Sequence, residues 1–173
     1  LLLKNPVWHI HKGIFPDYNQ EISYSMLLNL ASVCNADNSD ILWGFVSKYT
    51  TDKNQSDPLM KNLVNKALQY YKDFIAPNKK YKMPNENEIK ALLALNKRLI
   101  KLNNTNDAEK IQTEVYEVGK EFDYAELKNW FTALYEILLG QTQGPRIGSF
   151  IAIYGCSETI ELIKKAIKGE FVN

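Results

Sequence analysis

Apolar residues recur at three- and four-residue intervals along nearly the whole chain, the period of helices with one buried face. Residues 21–35, EISYSMLLNLASVCN, place Ile22, Met26, Leu30 and Val33 on one side, with Leu27 and Cys34 beside them. Residues 40–49 repeat the pattern with Ile41, Leu42, Phe45, Val46 and Tyr49, behind Ser39 as an N-cap. The clearest helix is expected from Pro58 to about Ile75. Asp57 can cap it, Pro58 suits its first turn, and Pro77 stops it. Its buried stripe reads Leu59, Leu63, Ala67, Tyr70, Tyr71 and Phe74.

Asn85 and Glu88 stand at capping-box spacing before a helix over 86–102, whose stripe is Ile89, Leu92, Leu93, Asn96, Leu99 and Ile100. Asn96 interrupts that stripe and is expected as a hydrogen-bonded core amide. A further helix runs from Asp107 to Phe122 through Ile111, Val115 and Val118. Asp123 with Glu126 opens another, carrying Leu127, Trp130, Phe131, Leu134 and Leu138, which Gly140 can close in the left-handed conformation. The last follows Ser157, carries Ile160, Ile163 and Ile167, and ends at Gly169.

Seven or eight helices with short connections make the fold class all-α, a multi-helix bundle. The only competing strand signal is FIAIY at 150–154. Residues 1–20 lack periodicity and are expected as an extended segment leading into a single helical domain over 21–173. The chain starts on an apolar run rather than on methionine, and we expect it to be a piece of a longer protein.

Charge adds a second pattern. The net charge of +1 hides 12 Lys/Arg against five Asp/Glu in residues 48–101, and three against eight in residues 102–139. A basic middle beside an acidic stretch fits a face turned to a polyanion, or merely helix surfaces of varying sign. No apolar run approaches the roughly 18 residues of a membrane-spanning helix. Two cysteines far apart, Cys34 and Cys156, fit a reduced, cytoplasmic setting with both thiols as small core residues.

Four of the eight glycines fall in ILLGQTQGPRIGSFIAIYG, residues 137–155. The run is no P-loop, because it has no Gly-Lys-Ser/Thr to reach a phosphate, and no nucleophile elbow. A helix end, a turn at Gly144-Pro145 and a tightly packed helix through Gly148 and Ala152 account for it. Gln141, Gln143 and Arg146, near that helix start, could also contact bases or phosphates of a ligand. His9 and His11 in WHIH are too few for a zinc site and are expected to be structural. No catalytic pairing is visible. The loop APNKKYKMP, residues 76–84, is different: Lys79, Lys80 and Lys82 flank Tyr81 between two prolines. Cations for phosphate and an aromatic for stacking suit single-stranded nucleic acid; a solvated connector with a packed tyrosine has the same composition.

Taken as an ordered set, PVWHIHKG (6–13), ISYSMLLNLASV (22–33), DILWGFVSKY (40–49), YYKDF (70–74), VYEVGK (115–120), WFTALYEILLGQ (130–141) and QGPRIGSFIAIYG (143–155) resemble the C-terminal region of class I lysyl-tRNA synthetases. The resemblance covers essentially the whole chain. It implies an α-helix cage similar to that of glutamyl-tRNA synthetases, which follows the catalytic core and engages the anticodon arm of lysine tRNA. It also implies a full-length parent that activates lysine with ATP and Mg²⁺ and esterifies the tRNA 3′ end. The family's nucleotide-binding domain and its two signature elements are absent, Lys82-Met83-Pro84 not being the second, so this segment is not expected to charge tRNA alone or to carry a cofactor. The expected partners are lysine tRNA and the parent's own catalytic core, with no membrane. Lys79, Lys80, Tyr81, Lys82, Gln141, Gln143 and Arg146 are the candidate RNA contacts. The other reading is a non-catalytic helical docking domain, with an apolar patch around Trp8, Phe15 and Trp43.

Overall fold

A computed structural model describes residues 22–34, 38–48, 50, 58–102, 105–122, 124 and 126–172. Among them are eight α-helices and no strand. They are α1 (Tyr24–Cys34), α2 (Ser39–Val46), α3 (Pro58–Tyr70), α4 (Glu86–Lys101), α5 (Ala108–Glu121), α6 (Leu127–Leu138), α7 (Ile147–Tyr154) and α8 (Cys156–Ile167). The proposed segment 1–20, with His9, His11, Trp8 and Phe15, lies outside the described residues, as do Tyr49, Asp57 and Asp123.

Helices α1, α2 and α3 pack on one another, and α4 to α8 form a second group in which α5 lies along α7 and α4 along α8. Helix α7 also touches α1 and α2, so the two groups share one apolar core. The FIAIY run is helical: it lies inside α7, with Phe150 and Ile151 buried, because a helix there meets α5 on one side and α1 on another.

Most helix starts follow local chemistry. Asn85 Oδ1 accepts from the Glu88 N–H at 2.9 Å, and Glu88 Oε2 accepts from the Asn85 N–H at 2.9 Å, completing the capping box. Asp107 caps α5, accepting from the Glu109 and Lys110 amides. At α2 the cap is Asn38 rather than Ser39, its Oδ1 accepting from Asp40 and Ile41 at 3.1 Å each. Glu126 precedes α6 without a side-chain cap bond. Gly140, at φ +67°, ends α6 in the left-handed region as expected.

Two stripes differ from expectation. On α3 the inward residues are Met60, Val64, Ala67 and Leu68, while Leu59 and Tyr70 are exposed. Helix α3 continues into a π turn, Tyr71–Ile75, where the Ala76 N–H donates to the Tyr71 carbonyl, and then a 3-10 turn, Ala76–Asn78. The wider turn takes more residues per revolution. Half-buried Ile75 therefore follows buried Tyr71 on the inner side, and Phe74 rotates out to 59% exposure. On α4 the interior takes Glu88, Ala91, Leu92, Leu95, Asn96 and Leu99, leaving Leu93 and Ile100 exposed. Both helices carry two adjacent apolar stripes, and packing chose the one offset by a residue. Asn96 is buried as expected, but its Oδ1 accepts no hydrogen bond.

Candidate nucleic-acid interface

The two segments singled out in the sequence are neighbours in space. After the 3-10 turn the chain runs extended along the C-terminal end of α6. The Lys80 N–H donates to the Gly140 carbonyl and the Lys82 N–H to the Glu136 carbonyl, both at 3.1 Å. Together with the end of α3 they enclose an open groove of about 650 Å³ lined by Phe74, Asn78, Lys79 to Lys82, Glu136 and Gly140 to Thr142. The carbonyl end of α6 carries the negative pole of its dipole, which favours lysines placed there.

The side chains divide into those facing solvent and those turned inward. Lys80 and Gln143 are exposed. Lys79 turns in: its Nζ donates to the Ser32 carbonyl at 2.9 Å and lies 4.8 Å from the Tyr81 ring centroid and 5.7 Å from that of Tyr71. Tyr81 is half-buried, its ring 5.0 Å from that of Phe171 and close against Gly140, where a Cβ would lie a tight 3.3 Å from it. Its ring is thus held among protein atoms. Burial, with Tyr71 nearby, pushes its hydroxyl up to about 12. Lys82 bridges Glu88 at 2.6 Å and reaches Glu136 at 4.0 Å. Gln141 Nε2 donates to Ser32 Oγ at 3.3 Å, so α1, the lysine loop and the end of α6 are tied at one point.

Arg146 does not join the groove residues. Its guanidinium grips the Glu109 carboxylate with both Nη atoms, Nη2 at 2.7 Å, across the start of α5. That hydrogen bonding raises its pKa. Arg98 is likewise spent on Glu114 and Glu121, at 2.8 Å each. The acidic stretch 102–139 therefore folds back onto part of the basic one, and part of the charge asymmetry is neutralised within the protein.

Burial lowers the Lys79 pKa from 10.5 to about 8. The unfolded chain then binds more protons than the folded one between these values, so this group makes stability rise with pH across that window and adds no slope below it. Denaturant titrations of wild type and Lys79→Met at stepped pH should show the extra rise from pH 8 to 10.5 in the wild type alone. Parallel profiles would mean the ammonium is not desolvated.

The groove's edge also carries what the periodicity hid: Phe74, with Tyr70 packed against it from outside the lining. Tyr70, 46% exposed, and Phe74, 59% exposed, stand together with ring centroids 4.9 Å apart. A helical period put both inside. The signal against that was the run Tyr70-Tyr71-Phe74-Ile75, which holds more large side chains than one face of a helix can bury.

A family model described as an anticodon binding domain matches residues 57–167, from the start of α3 to the end of α8. The chain belongs to the anticodon binding domain family. Its match takes in the groove, the lysine loop and the glycine-rich turn. The chain is 45% identical over 173 residues to a lysine–tRNA ligase of Roseobacter denitrificans, covering 99% of this chain and 32% of that protein. It is 41% identical to lysine–tRNA ligases of Rickettsia felis, over 92% of this chain and 31% of that protein, and of Rickettsia rickettsii, over 96% and 31%. The chain thus spans about a third of the length of these curated relatives. No solved structure matches. As an anticodon binding domain built only from helices among its described residues, it agrees with the all-α cage that the sequence resemblance implied.

Proposed function

We propose that this chain is the tRNA-binding C-terminal domain of a class I lysyl-tRNA synthetase and that the groove beside Lys79–Lys82 meets the anticodon arm of lysine tRNA. The observation that carries the reading is the family match over residues 57–167 coinciding with a groove edged by cations. Lys80 contacts phosphate; Lys79, Tyr81 and Lys82 hold the loop that presents it; Gln141 and Gln143 offer amides to bases. Arg146, tied to Glu109, braces the adjacent turn. Lysine activation with ATP and Mg²⁺ belongs to the remainder of the longer protein. Among the described residues no cluster of three or more His, Cys, Asp or Glu could hold a metal ion. No described helix is long and apolar enough to cross a membrane.

Titration of the 173-residue chain with lysine tRNA and with an unrelated tRNA, at two salt concentrations, tests this. Lysine tRNA should bind more tightly, and affinity should fall steeply with salt as counterions are released. Lys80→Ala should weaken binding to both RNAs and lower the salt slope by about 1. Equal affinity for the two tRNAs at both salts would defeat the anticodon reading.

A second reading, docking against the rest of a longer chain, has one observation in its favour. Leu93 and Ile100 are exposed on α4 among the exposed lysines Lys90, Lys97 and Lys101. Trp43, the one described member of the patch expected from sequence, is half-buried against the core and does not support it. Unchanged tRNA affinity in Lys80→Ala, with loss in Leu93→Asp of association between this chain and the separately produced remainder of the longer protein, would favour α4 as a docking face.

A further inference from the structure

We propose that Phe74, backed by Tyr70, is a stacking platform for one unpaired base of the RNA loop that enters this groove; the inference rests on the tRNA-binding reading and adds a subsite to it. An exposed phenylalanine is unfavourable in water, and a helical period would have buried this one against Tyr71. The π turn Tyr71–Ile75 aims it outward instead. Such turns are frequent at functional positions. Tyr70 packs against one side of it, ring centroids 4.9 Å apart, and the exposed remainder of the ring is left to a ligand.

The surroundings select the occupant. The groove that Phe74 borders has about 650 Å³, within the range of roughly 300–1,000 Å³ that holds a compact organic ligand. Its other wall carries Lys80, exposed for a phosphate, and exposed Thr142, whose hydroxyl can meet a base edge; Gln141 has only its Oε1 for that, its Nε2 being given to Ser32 Oγ. An apolar ring face, a cation and hydrogen-bonding side chains around one opening are the requirements of a splayed-out nucleotide. Tyr81, which the sequence suggests for stacking, has its ring held by Phe171, Lys79 and Gly140. Phe74 is the aromatic of this groove with the greater exposure, and it takes that task.

The test uses the 173-residue chain and a short hairpin RNA whose loop carries the lysine anticodon, with 2-aminopurine substituted singly along the loop. With wild type, one position should be quenched on binding, as expected for stacking on an aromatic ring. Phe74→Leu keeps apolar bulk but has no π face. It should lose about tenfold in affinity, lose the quenching, and keep the salt slope, because no phosphate contact is removed. Phe74→Trp should restore both. Since the side chain is solvent-facing, the helical circular dichroism of all three should coincide. Wild-type binding with Phe74→Leu unchanged in affinity and quenching would overturn the platform while leaving the groove's RNA role standing. Failure of the wild type to bind the hairpin at low salt would instead remove the tRNA-binding reading, and the platform with it.

Discussion

Trp130→Ala is expected to lower the unfolding free energy by about 3–5 kcal/mol, the range for truncating a fully buried tryptophan. Trp130 has no exposed surface and is among the largest fully buried side chains described. It ties α6 to α5 by two contacts and to the connection between them by a third. Its Nε1–H donates to the Val115 carbonyl at 2.9 Å. Its ring meets Tyr124 at a centroid distance of 5.2 Å. It also fits against Gly119, where a Cβ would come within 2.7 Å of the indole. Alanine leaves a large void, and helices cannot close it without breaking the other contacts. Urea unfolding followed by circular dichroism measures the loss. A change below about 1 kcal/mol, the size of an ordinary surface substitution's effect, would show that α6 is held by something other than this side chain. Because α6 ends at the carbonyls that receive Lys80 and Lys82, the same variant should also loosen the lysine loop.

The second large effect is expected from Gly148→Ala, at about 1–3 kcal/mol, the usual cost of forcing a methyl into a packed contact. Helix α7 crosses the first turn of α5 at this glycine. An added Cβ would lie 2.7 Å from the Gln112 Cβ and 2.8 Å from its backbone nitrogen, and would collide with the Ala108 carbonyl. Backbone cannot swing aside as a side-chain tip can, so the upper end of the range is expected. The Gly148 N–H also donates to Gln112 Oε1 at 2.8 Å, and a shift of α7 would stretch that bond. Equilibrium unfolding should show a lower midpoint at unchanged slope, the sign of a stability change without a change in surface exposed. An unaltered midpoint would mean the helices can part cheaply there.

That glycine shows what a single sequence reveals well. Gly140 as a helix stop was legible because it depends on backbone chemistry confined to a few residues, and the Asn85–Glu88 box was legible for the same reason. Gly148 as a close approach was legible from its lack of a side chain, although its neighbour is α5; the expected turn at Gly144-Pro145 is a bend at Pro145. The facing of α3 and α4 was not. Leu59 and Met60, or Leu92 and Leu93, are equally apolar, and only neighbouring helices decide which is inside. The crowded run Tyr70-Tyr71-Phe74-Ile75 showed that some large side chain must stay outside, but not that a π turn would choose Phe74, so Phe74 read as core. The candidate interface was half legible. Residues 79–82 and 141–142 stand together and Gln143 lies outside the groove lining, while Arg146 is bound to Glu109 and Lys79 to the Ser32 carbonyl, partners 37 and 47 positions away. Composition shows that cations exist; it does not show which are already engaged.

The stretch between the 3-10 turn and α4 has no helix of its own, yet its amides at Lys80 and Lys82 are stitched to the last turn of α6. Its shape is therefore settled when the protein folds, before any RNA arrives. A partner meeting this edge encounters a preset template, and little further ordering entropy is charged to the encounter. On the proposed reading, an RNA loop docking here would meet a rigid rim, and most of the adjustment would fall to the nucleic acid.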